Sequence, residues 1–119
     1  MEFKANEKGY ELTVIFNGVD LPKINDHTLI RNTSLNLLKS AKFNVLHVME
    51  HKFSPQGYTF VVLLSESHFA VHTYPEHKTI YFHLYSCGEK DEKILLDGLK
   101  DQFRPKNVIV RKEDVQVKF

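Results

Sequence analysis

Apolar positions recur along this chain with two periods, which predict its secondary structure. Alternation, or a short apolar run, predicts a strand, and spacings of three and four residues predict a helix. Six strands are predicted, over residues 11–16, 44–49, 58–64, 68–74, 79–86 and 107–111. Two helices are predicted, over about 27–43 and 90–103, and residues 1–9 are expected to form a loose arm.

The first helix is predicted from its capping residues as well as its period. Asn25 and Asp26 precede it, and either side chain can accept a hydrogen bond from the first turn. Both helices carry an apolar stripe on one face, formed by Leu29, Ile30, Leu37, Leu38 and Ala41 in the first and by Ile94, Leu95, Leu99 and Phe103 in the second. Such stripes pack against a sheet or another helix.

The order of these elements predicts the fold class. Strands two to five follow one another through connections too short for parallel crossovers, so these strands are expected to be antiparallel. The prediction is an α+β fold, a two-layer sandwich in which a mostly antiparallel sheet carries two helices on one face. The 119 residues suit one domain, so we treat 1–119 as a single domain.

Composition and charge exclude several classes of partner. Sixteen basic and fifteen acidic residues leave a net charge of +1, which gives no general attraction to nucleic acid or anionic membranes. No apolar run approaches the length of a membrane span, and the beginning of the chain shows no signal-peptide pattern. The single cysteine fits a reducing compartment. We therefore expect a cytoplasmic protein that binds neither nucleic acid nor membranes.

Reactive side chains are concentrated in residues 64–76. This run supplies a hydroxyl, two imidazoles and two carboxylates, from Ser67, His68, His72, Glu66 and Glu76, and Cys87 follows downstream. Such groups are costly to bury without partners, so their concentration favours a site over a structural role. A serine nucleophile needs an acid and a base, for which both histidines are candidates. The spacing permits Ser67, His72 and Cys87 to converge.

Two other interpretations of the same run stay open at this point. His68, His72 and Cys87 are possible zinc ligands, but a four-residue spacing suits a helix better than the predicted strand. No fourth ligand is evident, so we expect no metal. Ser65 is an alternative nucleophile on spacing alone.

Four motifs in this chain resemble those of a known family. They are His51-Lys52-Phe53-Ser54-Pro55-Gln56-Gly57, Ser65-Glu66-Ser67-His68, His72-Thr73-Tyr74-Pro75-Glu76 and Cys87-Gly88. In this order and at these distances they resemble the prokaryotic S-adenosylmethionine decarboxylases, pyruvoyl enzymes made as proenzymes. A weaker match extends from about residue 9 to residue 110.

The resemblance implies that the chain cleaves itself. Ser67 would attack the carbonyl of Glu66 and convert the peptide bond into an ester. Loss of the Ser67 α-proton would expel the Glu66 carboxylate and leave a dehydroalanine, which hydrolyses to a pyruvoyl group. The products would be a β chain of residues 1–66 and an α chain of residues 67–119. His72 would handle a proton during cleavage, and Thr59 occupies the position of a serine hydroxyl that helps the ester form.

The resemblance also implies the reaction and its substrate. The pyruvoyl group made from Ser67 would form a Schiff base with S-adenosylmethionine and withdraw electrons as CO2 leaves. Cys87 would return a proton to the substrate carbon. Phe53 would stack on the adenine, Glu76 would bind the ribose hydroxyls, and Tyr74 would also contact the substrate. The product would supply spermidine biosynthesis.

Related enzymes are homodimers with sites at the interface, so Phe53 is expected to serve the neighbouring subunit. Several positions depart from the family pattern. Thr59 replaces serine, Tyr74 replaces tryptophan and Glu11 replaces histidine, and residues 79–83 carry larger side chains, with His83 in place of aspartate. Such changes can redirect substrate choice. One alternative is therefore a decarboxylase of L-arginine or L-ornithine, and a second is a non-catalytic regulatory subunit.

Overall fold

A computed structural model describes residues 8–87 and 90–116. In chain order the elements are β1 (Lys8–Asn17), α1 (Leu21–Ile24), α2 (His27–Ser40), β2 (Val45–Lys52), β3 (Tyr58–Leu64), β4 (His68–Tyr74), a 3₁₀ turn (Pro75–His77), β5 (Thr79–Cys87), α3 (Glu92–Phe103) and β6 (Asn107–Gln116). No helix within these ranges is long and apolar enough to cross a bilayer.

The strands form one six-stranded sheet in the order β2-β3-β4-β5-β1-β6. Every neighbouring pair is antiparallel. Helices α2 and α3 pack together, and their buried residues join the core formed by one face of the sheet. The predicted α+β class is confirmed.

The two faces of the sheet differ because side chains alternate along each strand. In β3, Phe60, Val62 and Leu64 are fully or almost fully buried in the core. Between them, Val61 and Leu63 point to the other face and are 40% and 53% exposed. We call this second side, which neither helix covers, the open face.

Several strand boundaries differ from the prediction; β2, for example, runs to Lys52 and not to residue 49. β1 begins at Lys8, so Lys8 and Gly9 belong to the sheet and not to a loose arm, of which residues 1–7 lie outside the described residues. β6 continues to Gln116 because β1 provides a backbone partner along its whole length, from Asn107 opposite Asn17 to Gln116 opposite Lys8. This pairing depends on main-chain groups, which side-chain alternation does not reveal.

The helical prediction also needs correction. α2 ends at Ser40 and not at residue 43, and Lys42 then adopts a positive φ of 71° that cannot continue a helix. Of the two candidate N-cap residues of α2, Asn25 and Asp26, it is Asp26 that caps the helix, because its side chain accepts a hydrogen bond of 3.0 Å from the N–H of Leu29. α1 was not predicted, since four residues are too few to show a period.

Candidate active site

The Glu66–Ser67 peptide bond lies at a tight turn between β3 and β4. Residues 65–66 form the loop, and the N–H of Leu64 donates to the carbonyl of Ser67 at 3.0 Å. From the segment before β2, the Asn44 amide donates to Ser65 Oγ at 2.9 Å. The turn is therefore held from both sides.

Ser67 and Cys87 meet at this end of the sheet. The backbone N–H of Cys87 donates to Ser67 Oγ at 3.1 Å, and the two residues are only 7% and 8% exposed. The Cys87 thiol in turn donates to the hydroxyl of Tyr85, with 3.1 Å between Sγ and Oη. The buried Ser67 hydroxyl therefore lies against the backbone of the residue that carries the thiol. Gly88, the partner of Cys87 in its motif, lies outside the described residues.

His72 lies elsewhere on the sheet. It pairs with Thr59 across β3 and β4, with 2.9 Å between Thr59 Oγ1 and His72 Nδ1. Burial lowers the pKa of His72, which favours the neutral imidazole. Five residues of extended chain separate His72 from Ser67, roughly 16 Å. The convergence of Ser67, His72 and Cys87 that the spacing permits does not occur within one chain.

An open cleft of about 380 Å³ surrounds His72. Its lining includes five of the sequence-predicted site residues, Phe53, Thr59, His72, Tyr74 and Glu76. The volume lies within the usual range for small-molecule sites. The sequence-predicted residues thus form two groups in one chain. One is the β3–β4 turn with its contact between Ser67 and Cys87, which we call the Ser67–Cys87 turn, and the other is this cleft.

Local backbone geometry places Phe53 and Glu76 at the cleft. The loop from Phe53 to Gly57 is closed by a hydrogen bond of 2.9 Å from the Phe53 N–H to the Gly57 carbonyl. Gly57 has a φ of 114°, which side chains disfavour. The loop leaves Phe53 51% exposed, with its ring edge-on to His51. Glu76 lies in the 3₁₀ turn after β4.

Two of the departures from the family pattern contact each other on the open face. Glu11 Oε1 lies 3.9 Å from His83 Nε2. The resemblance gives a histidine and an aspartate at these positions, so the two substituted residues are neighbours in this chain. Beside them, burial and then His83 lower the pKa of His68.

The possible metal ligands do not form a cluster. Among the residues of the described ranges, no three histidine, cysteine, aspartate or glutamate side chains are grouped so that they could hold a metal ion. His68 and His72 lie four residues apart on one strand, about 13 Å. The structure therefore gives no support to a zinc site at His68, His72 and Cys87.

The sequence of residues 10–114 matches the family described as S-adenosylmethionine decarboxylase. This chain belongs to that family. It is 38% identical over 84 residues to the S-adenosylmethionine decarboxylase proenzyme of Bacillus velezensis, an alignment that covers 71% of this chain and 67% of that protein. It is 36% identical over 96 residues to the proenzyme of Brevibacillus brevis, covering 80% and 72% of the two chains.

Solved structures agree with this membership of the S-adenosylmethionine decarboxylase family. The crystal structure of the adenosylmethionine decarboxylase from Aquifex aeolicus superposes with a TM-score of 0.85 and 28% identity, covering 97% of this chain and 96% of that one. A Trypanosoma brucei AdoMetDC monomer superposes with a TM-score of 0.63 and 15% identity over 85% of this chain and 44% of that one. At that identity the second likeness concerns the fold alone.

Sequence reasoning missed three residues that surround the predicted site. Asn44 contacts the turn from 21 positions away, and no local pattern marks it. Gly9 lies opposite Cys87 in the β1–β5 ladder, within a segment expected to be loose. Tyr85 could have been found, because residues 85 and 87 of a strand share one face.

Proposed function

We propose that this protein is a pyruvoyl-dependent S-adenosylmethionine decarboxylase, made as a proenzyme that cleaves itself between Glu66 and Ser67. Its product would supply spermidine biosynthesis. The observation that carries the proposal is the hydrogen bond from the Cys87 N–H to Ser67 Oγ, which brings the expected nucleophile of cleavage, at a tight turn, against the residue that carries the expected proton donor. Family membership supports the same assignment.

The residues around the turn support self-cleavage. The Cys87 N–H binds Ser67 Oγ and limits its rotation, while Asn44 holds the loop that presents the Glu66 carbonyl. Attack of Oγ on that carbonyl forms a C–O bond and breaks the C–N bond between residues 66 and 67, and the hydroxyl proton passes to the freed amino group of residue 67. Holding both groups in one geometry is the main contribution the protein can make to such an intramolecular step.

The same place fits a pyruvoyl group. That group would be made from Ser67 itself and needs no more room than the serine that precedes it, and residue 67 already lies buried against the backbone of Cys87. A pyruvoyl group at this position supplies a carbonyl that withdraws electrons from the substrate as CO2 leaves. The Cys87 thiol holds the proton that the substrate carbon then needs.

A complete site would require two copies of this chain. The cleft that holds Phe53, His72 and Glu76 is about one strand length from Ser67, too far for both groups to act on one substrate within the chain. The open face also exposes apolar side chains, including Met49 at 66% and Leu63 at 53%. Contiguous exposed apolar surface commonly marks an interface. We propose a homodimer in which each cleft faces the Ser67–Cys87 turn of the other copy.

The cleft has the groups that an adenosyl substrate would need. Phe53 offers an exposed ring on which adenine can stack, worth about 1–3 kcal/mol in comparable base contacts. The Glu76 carboxylate can accept hydrogen bonds from the ribose hydroxyls. L-Arginine and L-ornithine have neither an adenine ring nor ribose hydroxyls, and their cationic ends would pair with the Glu76 carboxylate instead.

Mass spectrometry of the denatured protein tests cleavage, and CO2 release tests the substrate. We expect fragments of residues 1–66 and 67–119, the second with a pyruvoyl end, and CO2 release from S-adenosylmethionine. The Ser67→Ala variant is the control and should stay intact and inactive. Release only from arginine or ornithine would point to the changed substrate. An intact, inactive wild-type chain would contradict the proposal and favour a regulatory subunit.

A further inference from the structure

We propose that Tyr85 is a positioning residue that directs the proton of the Cys87 thiol. The inference rests on the proposed function, in which Cys87 donates that proton to the substrate. The contact itself is direct, since the thiol donates to the Tyr85 hydroxyl with 3.1 Å between Sγ and Oη. A thiol without such a partner would rotate freely about its Cβ–Sγ bond.

The ring of Tyr85 is held in place by its neighbours on the sheet. Residues 85 and 87 share one face of β5, so the hydroxyl lies over the thiol two positions along the strand. On one side the ring stacks on His68 of β4, with centroids 5.7 Å apart and planes at 29°. On the other side Glu11 of β1 lies directly opposite in the ladder. The tyrosine therefore has little freedom to leave the thiol.

Gly9 provides the room for this contact. It lies opposite Cys87 in the β1–β5 ladder. A Cβ at this position would stand 3.2 Å from the Tyr85 hydroxyl, 3.3 Å from the Cys87 sulfur and 2.8 Å from the Ser86 carbonyl oxygen. Any side chain here would displace one of these groups. The glycine thus lies where the hydroxyl and the thiol meet and leaves room for both. This is independent support for a specific contact between Tyr85 and Cys87.

The chemistry requires the Tyr85 phenol to change from a hydrogen-bond acceptor to a hydrogen-bond donor. Before the reaction the S–H group donates to the phenol oxygen. When the S–H bond breaks and the substrate carbon gains the C–H bond, a thiolate is left, and the phenol O–H can then turn and donate to the sulfur. This needs a protonated phenol. The hydrogen bond from Cys87, followed by burial, raises the pKa of Tyr85, and the nearby carboxylates of Glu11 and Glu66 act in the same direction.

The infrared S–H stretching band of the protein tests the contact without any substrate. The chain has one cysteine, so the band reports on Cys87 alone, and Cys87→Ser should abolish it. In Tyr85→Phe we expect the band to move to the position of a free thiol. The matched control is Tyr10→Phe, which removes a hydroxyl from the neighbouring strand. Tyr10 lies on the opposite face of the sheet, against Ser86, and its variant should leave the band unmoved.

Steady-state kinetics test the consequence for catalysis. We expect kcat of Tyr85→Phe to fall about tenfold, the effect of one lost hydrogen bond, with KM unchanged. Gly9→Ala provides a second variant that keeps the tyrosine but should also move the band. A band that stays in place in Tyr85→Phe, or a kcat that is unchanged, overturns the inference. A wild-type protein that releases no CO2 instead overturns the proposed function, and the catalytic role of Tyr85 with it.

Discussion

Thr59 and His72 face each other directly across β3 and β4, and 2.9 Å separates Thr59 Oγ1 from His72 Nδ1. Burial lowers the pKa of His72, so at neutral pH its Nδ1 can accept the threonine proton. The pair can therefore fix which ring nitrogen carries the proton. It can do so with a threonine where the family pattern has a serine, because both supply a hydroxyl.

The first prediction concerns this hydroxyl. Thr59→Val keeps the shape of the side chain but removes the donor to His72, so we expect self-cleavage to slow by roughly tenfold, as for the loss of one hydrogen bond. Thr59→Ser should keep or increase the wild-type rate, since it lacks only the methyl group. The rate is measured from the fraction of intact chain over time on a denaturing gel. Equal rates for the valine and wild-type proteins would exclude a role for the pair.

The second prediction concerns pH and stability. Folding lowers the pKa of His72, so the unfolded chain binds this proton more readily than the folded chain. The free energy of unfolding should then fall as the pH decreases through about 6.5, the ordinary histidine value, and this loss should end below the lowered pKa. Burial also lowers the pKa values of His27 and His68, so these two residues contribute to the same loss of stability.

Urea unfolding at pH 8 and pH 5.5 measures this effect, in a Ser67→Ala background so that the chain stays intact. His72→Asn removes one of the three titrating groups and keeps an amide beside Thr59. It should show a smaller loss of stability between the two pH values than its parent. An equal loss would mean that His72 does not contribute.

The third prediction concerns Asn44. Its amide holds Ser65 in the turn before the scissile bond at 2.9 Å, so Asn44→Ala should slow self-cleavage several-fold while the fold remains stable. Asn36→Ala, at an exposed position of α2, is the control for loss of an asparagine. If the contact is the cause, Ser65→Ala should have a similar effect, and the double variant should be no slower than either single one. Additive effects would argue against the contact.

More of the fold than of the candidate site could be predicted from the sequence. The strands around Ser67 could be predicted because each alternates or is continuously apolar, and Asp26 marks the start of α2 with a local hydrogen bond. The contact of Cys87 with Ser67 followed from antiparallel neighbours that return to one end of the sheet. The separation of His72 from that end was implied by the predicted strand over residues 68–74, which puts five residues of extended chain between Ser67 and His72, but the hypothesis of convergence did not use it. Asn44 could not be found, since its contact depends on how two distant segments are placed.

The fourth prediction concerns the contact between the two long helices. A Cβ added to Gly98 of α3 would stand 2.3 Å from Leu37 Cδ2 of α2. Alanine gains about 1 kcal/mol over glycine in helix propensity, but overpacking of this kind costs about 1–3 kcal/mol. We therefore expect Gly98→Ala to reduce the free energy of unfolding by about 1 kcal/mol, the difference between these two terms. Urea unfolding in the Ser67→Ala background measures it.

Leu37→Ala provides the control for this helix contact. It removes the atoms that the new methyl group would meet, so Gly98→Ala should be neutral or stabilising when it is introduced into Leu37→Ala. A destabilisation of equal size in both backgrounds would show that the cause is not the contact between the helices.

The last prediction separates a site within one chain from a site shared by two. Cys87→Ala removes the proposed proton donor, and Glu76→Gln weakens substrate binding in the cleft. The homodimer of each variant should therefore lose most of its decarboxylase activity. If each site combines the turn of one chain with the cleft of the other, a mixed dimer has one site with both defects and one with neither. Random assembly of the two variants makes half of the dimers mixed. Each mixed dimer has one intact site of two, so about a quarter of the wild-type activity should return. The two proteins are co-expressed with different tags, so that mixed dimers form as the chains assemble. If each site lay within one chain, every site would carry one of the two defects and co-expression would restore nothing. That result would contradict the shared site while leaving the chemistry of Ser67 untouched.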